Sequence, residues 1–242
     1  FAIPSAMAVS VVKQLIETGA VKRGWLGVHI QTVTDEIAET LGLKEAQGAL
    51  VASVIKDGPA EAANIKAGDV IVQFDGKDVT QMRRLPRIVA ETPVGNTVDV
   101  VLWRDDKRVT VKVKVGELEA GEAQMAGRSP GDEGSGLSAQ DRKIAPLGLT
   151  VAALSDALRQ RYDLAPDAKG VVVVAIDEGG PAAEKGIRPG DLIIEVSQED
   201  ADSPAQVAEL VETARKTGRK SVLLLIEGQG RLRFEAVRIS QK

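Results

Sequence analysis

Leu26-Gly27-Val28 and Gly68-Asp69-Val70-Ile71 are answered further along the chain by Leu147-Gly148-Leu149 and Gly190-Asp191-Leu192-Ile193. The first motifs stand 121 residues apart (26 to 147) and the second 122 (68 to 190), so one long segment recurs with a single inserted position. A repeat of this size is a self-contained domain, because solenoid units run only about 20 to 50 residues. The 242-residue chain therefore reads as two copies of one fold.

Outward from these motifs, alternation of apolar and polar residues predicts strands over 25–30, 49–55, 70–74, 97–103 and 109–115. The apolar run Val171 to Ile176 predicts a buried strand in the second copy. Asp75-Gly76 has the residues of a tight turn, and Asp105-Asp106 those of a solvated hairpin tip. Thr34 and Ser155 are placed to cap short helices, and a longer helix is expected around Leu85 to Glu91. In the second copy Ser203 caps, Pro204 opens and Gln206 completes a capping box for a helix whose Val207, Leu210, Val211 and Ala214 share one face. Strands with a few helices make each copy mainly β with α, an α+β fold.

The copies span 23–116 and 145–242 on this reading. Between them, 117–144 is rich in Gly, Ser, Glu and Asp and reads as a flexible linker, since it has too little apolar surface to offset its chain entropy. Ahead of them, Ala8, Val11, Val12, Leu15 and Ile16 form the apolar stripe of an amphipathic helix from Ser5 to Gly19, outside the repeat. That helix reads as the end of a preceding domain. Phe1-Ala2-Ile3-Pro4 has neither a basic leader nor a cleavage pattern, so no signal peptide is expected and the chain looks cut from something longer.

Composition narrows the chemistry. A net charge of −4 on a mixed surface has no basic stripe, so nucleic acid is not an expected partner. No apolar run reaches the roughly 18 residues of a membrane helix. With no cysteine there is neither a disulfide nor a thiolate metal site, and no cluster has metal-ligand spacing. There is no phosphate loop and no dinucleotide fingerprint, so no cofactor is expected. The one histidine, His29, sits in an alternating strand, and the chain has no nucleophile elbow, so no catalytic residue is assigned.

The positive signal lies in the two Leu-Gly loops. A glycine between apolar residues lets successive amide N–H groups turn toward one point, forming a concavity suited to a carboxylate. The strand that follows can offer its edge to an extended peptide. Together these features would capture a chain end.

These residues resemble the tandem PDZ domains of HtrA/Do-type (Deg) serine proteases. Trp25-Leu26-Gly27-Val28, Gly58-Pro59-Ala60, Lys66-Ala67-Gly68-Asp69-Val70-Ile71 and Asp75-Gly76 are similar to that family's first PDZ domain. Gly180-Pro181-Ala182 and Arg188-Pro189-Gly190-Asp191-Leu192-Ile193 repeat the pattern in the second. Phe1-Ala2-Ile3-Pro4-Ser5 and the following helix resemble the last strand and helix of the protease domain, which would occupy 1–22. The resemblance implies two PDZ folds, each a partly open β-sandwich or barrel capped by two helices in the permuted topology of this family.

By the same resemblance, the peptide carboxylate would meet Leu26, Gly27 and Val28, and in the second domain Leu147, Gly148 and Leu149. The side-chain pocket would be lined by Val28, Ile30, Leu85, Ile88 and Val89, and in the second by Leu149, Val151, Val207, Leu210 and Val211. The Gly-Asp turns read as structural. Implied partners are C-termini or extended segments of unfolded proteins and the chain's own protease domain, with a homo-oligomer in the intact protein and a periplasmic location. The implied role is substrate recruitment for envelope protein quality control; the alternative is a cage-building assembly module. Two departures stand out. Pro86 falls inside the helix expected to wall the first groove, which should begin near Leu85 or kink there. Pro146 replaces the aromatic before the second loop and Ser197-Gln198 replaces Asp75-Gly76, which points to a narrowed or non-binding second groove.

Overall fold

The computed structural model describes residues 23–118 and 141–240. The expected helix from Ser5 to Gly19 lies outside the described residues. In chain order the first copy comprises β1 (Gly24–Trp25), β2 (Val28–Thr32), α1 (Asp35–Thr40), β3 (Ala49–Val54), α2 (Pro59–Ala62), β4 (Val70–Phe74), β5 (Lys77–Asp78), α3 (Arg84–Glu91), β6 (Thr97–Arg104), β7 (Lys107–Lys114) and β8 (Gly116–Glu117). The second comprises β9 (Arg142–Ile144), a 3-10 turn (Ala145–Leu147), β10 (Leu149–Ala153), α4 (Asp156–Arg161), β11 (Val171–Ile176), α5 (Pro181–Glu184), β12 (Leu192–Val196), β13 (Glu199–Asp200), α6 (Pro204–Lys216), β14 (Ser221–Gly228) and β15 (Arg231–Arg238). Contacts group 23–30 with 48–118 in one compact unit, and 31–47 with 141–240 in another.

The first sheet runs β2-β3-β4-β6-β7, with β5 on β4 and the pair β1-β8 apart. Its core gathers Ala49, Val51, Ile71, Phe74, Val100, Leu102 and Val113 from the strands under Leu85, Ile88 and Val89 of α3. Pro86 is the third residue of α3. A first-turn N–H has no intrahelical acceptor, so the missing donor costs nothing and the helix begins one residue ahead of Leu85. The expected strand over 25–30 is broken at Leu26-Gly27, because Gly27 has φ +77° and turns the chain between β1 and β2.

The second sheet runs β15-β14-β12-β11-β10-β9, with β13 on β12. Ser155 Oγ accepts from the Leu158 amide at 3.3 Å and Ser203 Oγ from the Gln206 amide at 3.2 Å. Such caps are worth about 1 kcal/mol each. Gln206 reaches back to the Asp202 amide at 3.1 Å, one residue earlier than a capping box would have it. Helix α1, capped by Thr34, belongs to this second unit and packs on β14 and β15. There the Gln31 carboxamide clasps Phe234, donating to its carbonyl at 2.8 Å and accepting from its amide at 2.9 Å. Glu36 pairs with Lys185, which holds its carboxyl below the ordinary range.

Both ends of the segment read as linker lie in strands, Glu117 in β8 and Arg142 to Ile144 in β9. The Gly-Asp turns are internal fasteners. Asp69 is buried, accepts from the Lys66 amide at 2.7 Å and is gripped by Arg104 through Nε and Nη2, each at 2.6 Å. Hydrogen bonding to Asp69 raises the Arg104 pKa further. The counterpart Asp191 accepts from the Arg188 amide at 3.1 Å and from Arg233 Nη2 at 3.1 Å.

Candidate functional site

In the first domain the loop that precedes β2 is fixed through its carbonyls. Leu26 O accepts from the Ala60 amide and Gly27 O from the Ile55 amide, both at 2.9 Å. Among the described residues, neither the Leu26 nor the Gly27 amide has a hydrogen-bond acceptor, although both residues are buried. Two adjacent backbone donors are thus held in place and left unused, a costly arrangement unless an acceptor arrives.

The glycine is needed twice over. Its φ of +77° is one that other residues rarely adopt, and a Cβ there would lie 3.2 Å from Pro59 Cδ and 3.4 Å from Gly58 Cα. Gly58-Pro59 is therefore the plate against which the loop rests, and the same packing recurs with Gly148 against Gly180-Pro181 at 3.2 and 3.4 Å. The repeated Gly-Pro-Ala segments were visible in the sequence, but their role depends on this close approach.

Beyond the loop, β2 forms one edge of its sheet. Val28 and Ile30 are half-buried and pack on the cluster that contains Leu26, Leu85, Ile88 and Val89. The residues expected to line the first pocket are thus brought together on one apolar surface beside a strand edge that no described residue pairs. Met82 lies outside α3 and also packs on this cluster. His29 points to the other face of β2, exposed, with Nδ1 2.8 Å from Ser53 Oγ. No carboxylate is hydrogen-bonded to His29 among the described residues.

The second domain brings the same positions together differently. Leu147, Leu149, Val151, Val207 and Val211 are all fully buried in one core cluster, with Leu210 packed at its margin. The Gly148 amide donates to Ile144 O and Ala145 O, both at 3.1 Å, and the Gly148 carbonyl accepts from the Asp177 amide at 2.8 Å. The edge of β10 that corresponds to the open edge of β2 is paired with β9. Ile144, buried in the same cluster, is a member of this site that the reading of 117–144 as linker overlooked.

A family model described as PDZ domain matches residues 24–115, and a second, also described as PDZ domain, matches 172–227; together they take in more than half of the chain. A probable periplasmic serine endoprotease DegP-like from Bartonella henselae is 39% identical over the whole chain, which spans 45% of that protein. Its namesake from Rhizobium meliloti is also 39% identical, with 100% of this chain aligned to 46% of its length. The chain thus spans about half the length of these relatives. A solved HtrA-type protease, AlgW with decapeptide, is 41% identical over 48% of this chain and 36% of its own, with a TM-score of 0.42. The expected periplasmic location agrees with the names of the relatives. No helix among the described residues is long and apolar enough to cross a membrane. With a PDZ match in each repeat and full-length similarity to DegP-like proteins, this chain belongs to the PDZ family as a tandem of the HtrA/DegP-like type.

Proposed function

We propose that the first PDZ domain binds the free C-terminus of an extended, unfolded polypeptide and recruits it to a serine endopeptidase domain of the same protein in envelope quality control. The observation that carries this reading is the pair of unused amides at Leu26 and Gly27 beside the open edge of β2. The terminal carboxylate accepts from those amides, the last residues add a strand to β2, and the final side chain rests against Val28, Ile30, Leu85, Ile88 and Val89.

Magnitudes make this a weak, reversible contact. Burying one aliphatic side chain yields roughly 1.5 to 3 kcal/mol. Each charge-assisted amide bond adds about 1.5 to 3. Association costs about 4 to 15. Micromolar affinity is the expected outcome, suited to sampling many unfolded chains.

The carboxylate is the decisive element. Fluorescence anisotropy with peptides that end in a free apolar residue should give saturable binding, and C-terminal amidation should weaken it at least tenfold. Equal affinity of the acid and amide forms would remove the claim.

A further inference from the structure

In the second PDZ domain the chain lays one of its own strands where the first domain is open. β9 runs antiparallel to β10, with Ile144 opposite Leu149, Lys143 opposite Thr150 and Arg142 opposite Val151, and it also packs against α6. An added peptide strand would need that edge, that direction and that helix. Ile144 stands at the inner end: its carbonyl accepts from the Gly148 amide at 3.1 Å, and its side chain is 2% exposed among Leu147, Leu149, Val151, Val207 and Val211.

We infer that Arg142–Ile144 is a tethered ligand of the second domain's own groove, with Ile144 in the place of a bound chain's last residue, so that a foreign peptide enters only when this strand leaves. The inference rests on the peptide-binding reading of the first domain.

Alignment of the two copies explains the difference. The residue 121 positions before Ile144 is Arg23, which is exposed and whose carbonyl accepts from the Leu118 amide at 3.0 Å. The residue before Pro146 by the same offset is Trp25, which pairs with Gly116 in the β1-β8 ladder. Proline has no N–H for such a ladder. Pro146 instead sits in the 3-10 turn, its carbonyl accepting from Ser240 at 2.8 Å, and the incoming chain is directed onto β10.

The outer part of the strand is lightly fastened. Arg142 and Lys143 are exposed, and Lys143 Nζ meets Asp177 at 2.8 Å in an ion pair open to solvent. Asp177 in turn donates its amide to Gly148 O, so the fastening reaches the loop itself. A short tether keeps a ligand at an effective concentration in the millimolar range, above that of a free peptide at micromolar levels.

Titration of the 15N-labelled 242-residue chain with a pentapeptide ending in free valine tests the inference. In the unaltered protein the amides of Leu26 to Ile30 should shift at micromolar peptide while those of Gly148 to Val151 stay still. Lys143→Pro disfavours the paired strand and removes the tie to Asp177; the Gly148 to Val151 amides should then titrate, and bound peptide should rise from one to two per chain. Movement of Gly148 together with Gly27 in the unaltered protein would overturn the inference, as would a folded Lys143→Pro chain whose Gly148 to Val151 amides stay still. Silence at Leu26 to Ile30 would sink the reading of the first domain alone, because the response of Gly148 in the variant is scored separately. Should Lys143→Pro fail to fold, Lys143→Glu replaces the exposed pair by repulsion without touching the core. Hydrogen exchange of the Gly148 amide should then quicken about two- to fivefold while β11 is unchanged; unaltered exchange at Gly148 would overturn the proposal.

Discussion

The two PDZ domains carry the same loop in opposite states. Among the described residues, two amides at Leu26-Gly27 are held without an acceptor and the neighbouring Val28 and Ile30 are half-buried, whereas the Gly148 amide is engaged and Leu149 and Val151 are fully enclosed. The loop motif therefore sets the backbone shape but not its availability. Availability is decided by the residues just before it, where Arg23 and Trp25 lead the chain away from the groove and Ile144 and Pro146 lead it in.

The largest test of this contrast concerns the fasteners. Asp69 is held by a two-pronged Arg104 at 2.6 Å and Asp191 by a single Arg233 bond at 3.1 Å. Asp69→Ala should cost about 3 to 5 kcal/mol, the range for a broken buried pair. Asp191→Ala should cost about 1 to 3, nearer that of an ordinary buried hydrogen-bonding group. Urea unfolding would measure both, and equal losses would mean that the two turns are equivalent.

Next in size is a matched pair of loop substitutions. Gly27→Ala and Gly148→Ala both force a side chain into positive φ against a glycine-proline plate, so each should lose about 1 kcal/mol or more. Their effects on peptide binding should diverge. Gly27→Ala should weaken the free-carboxylate peptide at least tenfold and Gly148→Ala should leave its affinity alone; an equal loss in both would erase the functional distinction.

The smallest effect lies at a cross-strand pair. In the first domain Gln73 donates to Asp78 at 2.9 Å; in the second, Glu195 stands opposite Asp200. Burial raises the Glu195 pKa and the Asp200 charge raises it further. Glu195 thus binds its proton more tightly in the native state, and its contribution to stability falls as pH rises from the ordinary carboxylate range through the raised value. Glu195→Gln should therefore raise Tm slightly at neutral pH, with the gain vanishing below about pH 4, where the carboxyl is protonated folded or unfolded. A gain that persists in acid would point away from charge.

Most of the architecture was legible because it rests on local chemistry. Alternation located the long strands to within a residue or two, since one face of each must meet the core. Ser155 and Ser203 marked their helices by supplying an acceptor to orphan amides. The site was half legible. Leu26 and Gly27 came from the repeated motif and the apolar residues of α3 from the family resemblance, but Ile144 came from neither: a lone apolar residue after Arg142 and Lys143 has no period to declare it. Its signal was comparative, an isoleucine where the other copy has Arg23. The two-residue β1 and β8 were too short to alternate, and the clasp of Gln31 on Phe234 joins positions that no local pattern connects.

The covering of β10 by β9 also bears on valency. On the proposed reading, with that edge occupied one chain would hold a long unfolded polypeptide at a single point, and its grip would last only as long as one weak contact. Prolonged retention then calls for several chains side by side, so capture should climb steeply with their local density.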